Sequence, residues 1–429
     1  MGRYLCAMSF ETEDFRQYAA DADSQDTLFP FRARFHIPQH NGGDVAYFCG
    51  NSLGLQPKST GYLFEQELRD WARYGVDGHF QAQSPWFSYH KQFARPLAAI
   101  VGALPEEVVA MNTLTVNLQL LLMSFYRPSG ERYKIMMEAG AFPSDQYAVE
   151  TLVRLTGYEP DDAIIEVAPR EGEHTLRTED IIAEIQKAGP QLSVLLFSGV
   201  QYYTGQAFDM AALTQAAHKV GAIAGFDLAH AVGNIPLQLH DWDVDFACWC
   251  SYKYLNSGPG GVGGAYVHER FANDASVPRL AGWWGQREHD RFQMRKGFIP
   301  EPGAQGWQLS NAPVFNMVAH RASLDLFDKA GMEALREKSL RLTAFLEEML
   351  LSIPDRKFQI LTPTDPDARG CQLSLLFDNS GKETFDRITA AGIIADWREP
   401  NVIRVAPVPM YNTFMDCVRL YEALSGEKV

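Results

Sequence analysis

The chain has 429 residues and a formal net charge of −15, from 38 Lys and Arg against 53 Asp and Glu. That length is too great for one small core and predicts two lobes. The acidic balance excludes a nucleic-acid surface as the main business of the chain, because such surfaces need an excess of basic residues. A local basic pocket for an anion stays possible. No apolar run has the length of a membrane span, and the N-terminus lacks a signal-peptide core. Met1-Gly2 is followed by Cys6 where an N-myristoylation signal wants Ser or Thr, so neither lipid nor membrane attachment is expected. The six cysteines (Cys6, Cys49, Cys248, Cys250, Cys371, Cys417) form no CxxC pair and no zinc-ligand spacing. A disulfide scaffold is not expected in so long a chain, which points to free thiols, a cytoplasmic location and no metal.

Residues 1–45 are mixed and polar, with helical patterning around Asp14–Ala22 and then Pro30, Pro38 and Asn41-Gly42-Gly43. This segment is expected to join the smaller lobe. Tyr47–Gly54 reads as a short strand breaking into a turn, and Leu63–Tyr74 has helical spacing. From about residue 95 strands and helices alternate. Helix Leu114–Phe125 precedes strand Tyr133–Met137; helix Ser144–Thr156 precedes Ala163–Val167; helix Thr178–Ala188 precedes Leu192–Phe197; helix Met210–Val220 precedes Ala222–Phe226; and Phe246–Cys250 follows. Apolar strands separated by helices predict an α/β fold with a mostly parallel central sheet wrapped by helices, over residues 46–312. Ligands bind beyond the carboxyl ends of such strands, where Ser198, Asp227 and Lys253 fall. After residue 312 two long amphipathic helices, Met317–Ala330 and Glu333–Leu351, lead to short strands at Phe358–Leu361, Cys371–Phe377 and Val402–Val405. These predict a smaller α+β domain over residues 313–429. There is no internal repeat and no low-complexity tract.

Lys253 ends an apolar run and is followed by Gly258, Gly260 and Gly261, which permit close backbone approach to a ligand. A lone lysine is ordinarily a surface residue. Here an acid, Asp227, ends the preceding apolar run, and His230 stands three residues on. An acid at one strand end and a lysine at the next suit pyridoxal 5′-phosphate (PLP), whose pyridine nitrogen needs a carboxylate and whose aldehyde needs a lysine as Schiff-base partner. Asp227 could otherwise cap a helix, and an isolated histidine is more often structural. Thr115 and Asn117 open an apolar helix, where they could cap it or help capture a phosphate at its N-terminus. No G-x-G-x-x-G or Walker pattern supports a nucleotide cradle. Phe142-Pro143-Ser144-Asp145 starts a helix well; as a site, Phe142 could stack on a flat ring and Asp145 could reach its substituents. Arg404, inside the apolar strand Val402–Val405, needs a partner, which is either a structural carboxylate or that of an amino-acid substrate.

Together these residues resemble the kynureninases, fold-type I PLP enzymes related to the class V aminotransferases. The similarity runs through Phe142–Asp145, Ser198–Gln206, Asp227–His230, Cys250–Asn256, Gly282-Trp283, Ser310-Asn311, Arg369–Leu373 and Ile403–Pro409, in family order from about residue 45 to 412. The Asp, His and Lys fit any class V relative; Tyr252, Trp283 and Asn311 narrow it. The resemblance implies that Lys253 holds the cofactor and moves protons, with Tyr252 in a proton relay near the phosphate. Asp227 would pair with the pyridine nitrogen and Phe142 would stack on the ring. Leu114, Thr115, Ser144, Asp145, Ser198 and His230 would lie around the cofactor. Trp283 and Asn311 would reach a site in the partner subunit of a homodimer. Arg404 would hold the substrate α-carboxylate. The implied reaction is hydrolysis of the Cβ–Cγ bond of L-kynurenine or 3-hydroxy-L-kynurenine. His79 and Ser310-Asn311 resemble the animal-type enzymes that prefer the hydroxylated ring, whose extra hydroxyl a histidine and a serine could bond. One rival is another class V reaction, an aminotransferase or a cysteine desulfurase; a desulfurase needs a mobile late cysteine, for which Cys371 is the candidate, and it heads an apolar strand. A second rival is a catalytically silent binding protein that keeps the fold, against which the intact Lys253, Asp227 and Arg404 argue.

Overall fold

A computed structural model of the protein describes residues 15–379 and 381–426. Its centre is a seven-stranded sheet. The strands are β1 (Val108–Ala110), β2 (Lys134–Glu138), β3 (Ile164–Val167), β4 (Leu192–Ser198), β5 (Ile223–Asp227), β6 (Phe246–Trp249) and β7 (Gly264–Val267). Their order is β1-β7-β6-β5-β4-β2-β3. From β3 to β6 all neighbours are parallel, while β7 is antiparallel to both β6 and β1. The α/β fold with a mostly parallel sheet is therefore the observed one. The sequence pattern hid β7, whose Gly-Ala-Tyr-Val follows a glycine-rich loop with no punctuation between them.

The strands are apolar on both faces because both faces are covered. Met136, Leu195 and Phe197 enter one core cluster and Ile135, Met137, Val194 and Leu196 enter the other, as the alternation of side chains along a strand requires. The sequence-predicted helices sit between the strands as α1 (Leu114–Phe125), α2 (Pro143–Leu155), α3 (Thr178–Ala188) and α4 (Met210–Lys219).

A separate core forms around a four-stranded antiparallel sheet of β8 (Phe358–Ile360), β9 (Leu373–Phe377), β10 (Asp396–Arg398) and β11 (Val402–Val405), in the order β8-β9-β11-β10. Phe15, Ala19 and Ala22 from helix Phe15–Ser24 pack into it with α7 (Phe414–Ser425), as do Ala46 and Phe48. Of the long pair of helices, α5 (Val314–Ala330) places Met317, Val318, Leu324 and Phe327 in the larger core, and only from Leu342 does α6 (Met332–Ser352) enter the smaller one. The change of core thus falls later than the change of sequence texture at residue 312, because an amphipathic helix carries no mark of which core it will face. Cys6 lies outside the described residues. The remaining cysteines are free thiols, four of them buried. Among the described residues no helix is long and apolar enough to cross a membrane.

Candidate active site

The parallel strands deliver their last residues to one end of the sheet. The register pairs Ser198 with Asp227 across β4 and β5, and Asp227 with Cys248 across β5 and β6. The loop after β6 brings Lys253 to this end. Its Nζ lies 2.9 Å from His230 Nε2. Gly54 anchors the same loop, its amide donating to the Tyr252 carbonyl at 2.8 Å. A Cβ on Gly54 would stand 2.4 Å from the Lys253 carbonyl oxygen, so this approach requires glycine.

His230 is buried, and burial followed by the Lys253 charge holds its pKa well below the usual range. A neutral imidazole that accepts the ammonium proton at Nε2 carries its own proton on Nδ1. That Nδ1 is buried without a partner. Asp227 Oδ1 accepts the Ala229 amide at 2.7 Å. Burial raises the pKa of both Asp145 and Asp227, and a side-chain hydrogen bond joins the two. The Asp227 charge raises Asp145 further, so Asp145 holds the shared proton. Its Oδ1 is buried with no partner. Phe142 is exposed, with its ring centroid 5.8 Å from Lys253 Nζ. Tyr252 is half-buried, its phenol pKa raised by burial.

Two helix starts meet beside this cluster. Thr115 in the first turn of α1 shares a hydrogen bond of 2.7 Å with Ser144 in the first turn of α2. Neither helix has a side-chain cap on its N-terminal amides, and Leu114 is the first residue of α1. Uncapped amides with two hydroxyls suit a phosphate. Asn117 does not contribute: it is buried, donates to the Met111 carbonyl at 2.8 Å and accepts from Asn112 at 3.0 Å. The residues therefore fit a flat anionic cofactor such as PLP. An acid pair, an unspent buried donor and acceptor, an exposed aromatic face and a lysine stand beside an uncapped anion site.

The structure separates the other predicted residues from this cluster. Arg404 is fully buried. Its Nε donates to Asp396 Oδ2 at 2.6 Å and its Nη1 to the Tyr202 carbonyl at 2.5 Å. The structural-carboxylate reading of Arg404 is thus realised, through a residue on the neighbouring strand β10. The arginine still adjoins the site, because the Tyr202 ring packs edge-on against Phe142 at 5.2 Å. Trp283 is exposed and touches Trp284 and Phe292, each at 5.6 Å between ring centroids. Ser310 and Asn311 are exposed. His79 Nδ1 bonds the Val76 carbonyl at 3.0 Å and its ring packs against Trp86. Among the described residues, none of these four has a hydrogen bond, ion pair or ring contact with the Lys253 cluster of its own chain.

Glu138 is the site residue that sequence reasoning missed. It is the last residue of β2, it is buried, and Ser198 Oγ donates to its Oε1 at 2.5 Å. Burial raises its pKa to about 7. The signal that flagged Asp227, an acid ending an apolar strand, was equally present in Lys134–Glu138.

Sequence comparisons agree on one family. A family model described as the kynureninase C-terminal domain matches residues 335–424. A kynureninase of Flavobacterium psychrophilum is 52% identical over 403 residues, spanning 93% of this chain and 95% of that protein. A kynureninase of Myxococcus xanthus is 52% identical over 415 residues, spanning 96% of this chain and 97% of that one. Among solved structures, the cysteine desulfurase CsdA of Escherichia coli matches with a TM-score of 0.75 at 17% identity, covering 93% of this chain and 98% of that one. A C-DES mutant with glycine covalently linked to its PLP cofactor matches with a TM-score of 0.76 at 16% identity, covering 89% and 96%. At such identities the solved structures bear on fold alone.

Proposed function

The chain belongs to the kynureninase family, and on that premise we propose how its own residues divide the work. It is a PLP-dependent enzyme that hydrolyses a carbon–carbon bond of kynurenine or its 3-hydroxy form, releasing alanine and an aryl acid. Near-full-length identity to kynureninases carries this reading. The desulfurase alternative shares the fold but needs a reachable thiolate. Cys371 is fully buried just before β9, and burial pushes its thiol up to about 12.

When bound, the cofactor supplies an electron sink for charge at the substrate's α- and β-carbons. Asp227 would hold the proton of its ring nitrogen, with Asp145 as the protonated second carboxyl beneath. His230, through Nδ1–H, and Ser198 would flank the ring, and Phe142 would cover its face. Leu114, Thr115 and Ser144 would take the phosphate at the two helix starts. Lys253 removes the α-proton of the substrate and returns protons later in the cycle. The neutral His230 accepts a hydrogen bond from its ammonium and so orients it. Tyr252, protonated across the physiological range, serves as a second acid beside it. Arg404 receives the substrate carboxylate in exchange for Asp396, which keeps the guanidinium paired until then.

The same reading makes the protein a homodimer. Trp283, Phe292, Met294 and Phe298 form an exposed apolar group that a second copy would cover, bringing Trp283 and Asn311 to its site. Sedimentation should give a dimer, and a fully active monomer would sink this part. The buried free thiols suit a reducing compartment, the cytoplasm. Incubation with kynurenine and 3-hydroxykynurenine should release fluorescent aryl acids, and no aryl acid from either substrate ends the functional reading. The ratio of kcat/KM for the two decides the ring, and an unchanged ratio in His79→Ala removes His79 from ring selection.

A further inference from the structure

Glu138 stands under the site without a part in the chemistry above. It is 2% exposed and takes two donors from one residue. The Ser198 hydroxyl donates to Oε1 at 2.5 Å, and the Ser198 amide lies 3.3 Å from Oε2. Ser198 is paired in register with Asp227. Asp145 and Asp227 both feel the Glu138 charge field or act on it, so three carboxyls from β2, β5 and α2 converge on one end of the sheet. A buried carboxyl is costly unless its acceptors are used. Those of Glu138 are used on Ser198, which links strand ends 60 residues apart.

A serine hydroxyl ordinarily rotates to suit whatever faces it. While Glu138 is ionised its oxygens only accept, so the Ser198 proton is committed to it and Ser198 Oγ offers lone pairs only, able to accept from a ring substituent but not to donate to one. We propose that Glu138 is a positioning residue for the cofactor, acting through Ser198: it fixes the end of β4 beside Asp227 and turns the Ser198 hydroxyl into a pure acceptor. This rests on the proposed placement of Ser198 and Asp227 around PLP.

The test compares cofactor binding in the full-length protein, titrated with PLP and followed by absorbance and by quenching of tryptophan fluorescence. In E138Q the amide oxygen still accepts the Ser198 hydroxyl, the shorter of the two bonds, so its Kd for PLP should stay within about threefold of the parent. In E138L the volume is kept and the acceptor lost, so Kd should rise at least about tenfold and the absorbance maximum of the bound cofactor should move. In a Ser198→Ala background the Glu138→Leu change should add less than about twofold, since the two act as a unit. Equal affinity and an unshifted band in E138L, or full additivity with Ser198→Ala, would overturn the proposal. So would a fall in melting temperature with unchanged affinity, which marks a merely structural role. If E138L does not fold, E138D, one methylene too short to hold Ser198 in place, provides the same comparison. Failure of the unsubstituted protein to bind PLP at all would instead sink the reading on which the proposal rests.

Discussion

The two ends of the central sheet hold the same residue types and use them differently. At the amino end, Glu107 precedes β1, Asp245 precedes β6 and His268 follows β7. Glu107 Oε1 bonds His240 Nδ1 at 2.9 Å and the Glu269 amide at 2.8 Å, while Oε2 takes the Leu104 amide at 2.9 Å. Asp245 Oδ2 bonds His218 Nε2 at 2.8 Å and the Ala224 amide at 2.7 Å, and Arg270 donates to Asp245 Oδ1 at 2.5 Å. The Tyr266 hydroxyl is left open there, but no acid, histidine or arginine of this group is. Glu107, His240 and His268 lie close enough to hold a metal ion, yet the Glu107 oxygens, His240 Nδ1 and His268 Nδ1 are already spent on one another and on backbone amides. At the carboxyl end, Asp145 Oδ1 and His230 Nδ1 stay buried and open. Bonds to partners raise the pKa of His218 and His240, whereas burial lowers that of His230. A polar cluster that closes on itself fastens strands; one that leaves buried atoms open is shaped around something else.

Substitutions at the two ends should therefore separate activity from stability. The largest effect is expected at Lys253→Ala, which should lower kcat/KM by about 10³–10⁴-fold in the aryl-acid fluorescence assay while leaving the fold intact. A loss below tenfold would remove Lys253 from the chemistry. Next comes the pH dependence of Glu138. Its folded pKa of about 7 lies above the 4.5 of a free glutamate side chain, so its contribution is complete below pH 4.5 and is lost as pH rises through about 7. E138Q lacks this loss. Relative to the parent, its unfolding free energy in urea should rise by about 3 kcal/mol between pH 4 and pH 8 in the cofactor-free protein. Parallel pH profiles would show that Glu138 is not a buried acid.

Smaller still is Glu107→Gln, expected to cost about 2 kcal/mol of stability through its charged hydrogen bonds and to leave kcat/KM within about twofold. A loss of activity at unchanged stability would erase the contrast between the two ends. The smallest is His218→Gln. The Asp245 bond raises the His218 pKa, so its contribution is present below pH 6.5 and fades as pH climbs through the higher folded value. The variant should be less stable than the parent to urea at pH 5.5, by less than about 1 kcal/mol, and match it by pH 9. A deficit that grows with pH would reverse the assignment.

The local pattern was enough for most of the architecture. Helices Leu114–Phe125 and Thr178–Ala188 and strand Val402–Val405 begin and end as their periodicity says, because hydrophobic spacing and turn residues act within a few positions. Lys253, Asp227 and Phe142, which the fold brings together, stand out in the sequence for the same reason: each punctuates an apolar run or opens a helix. Three features were decided only by the folded chain. Strand β7 runs antiparallel, Arg404 is taken by Asp396, and Glu138 binds Ser198. Each depends on which strands become neighbours and in what register. That choice follows from packing between segments far apart in the chain, and the residues on either side of a given position carry no trace of it.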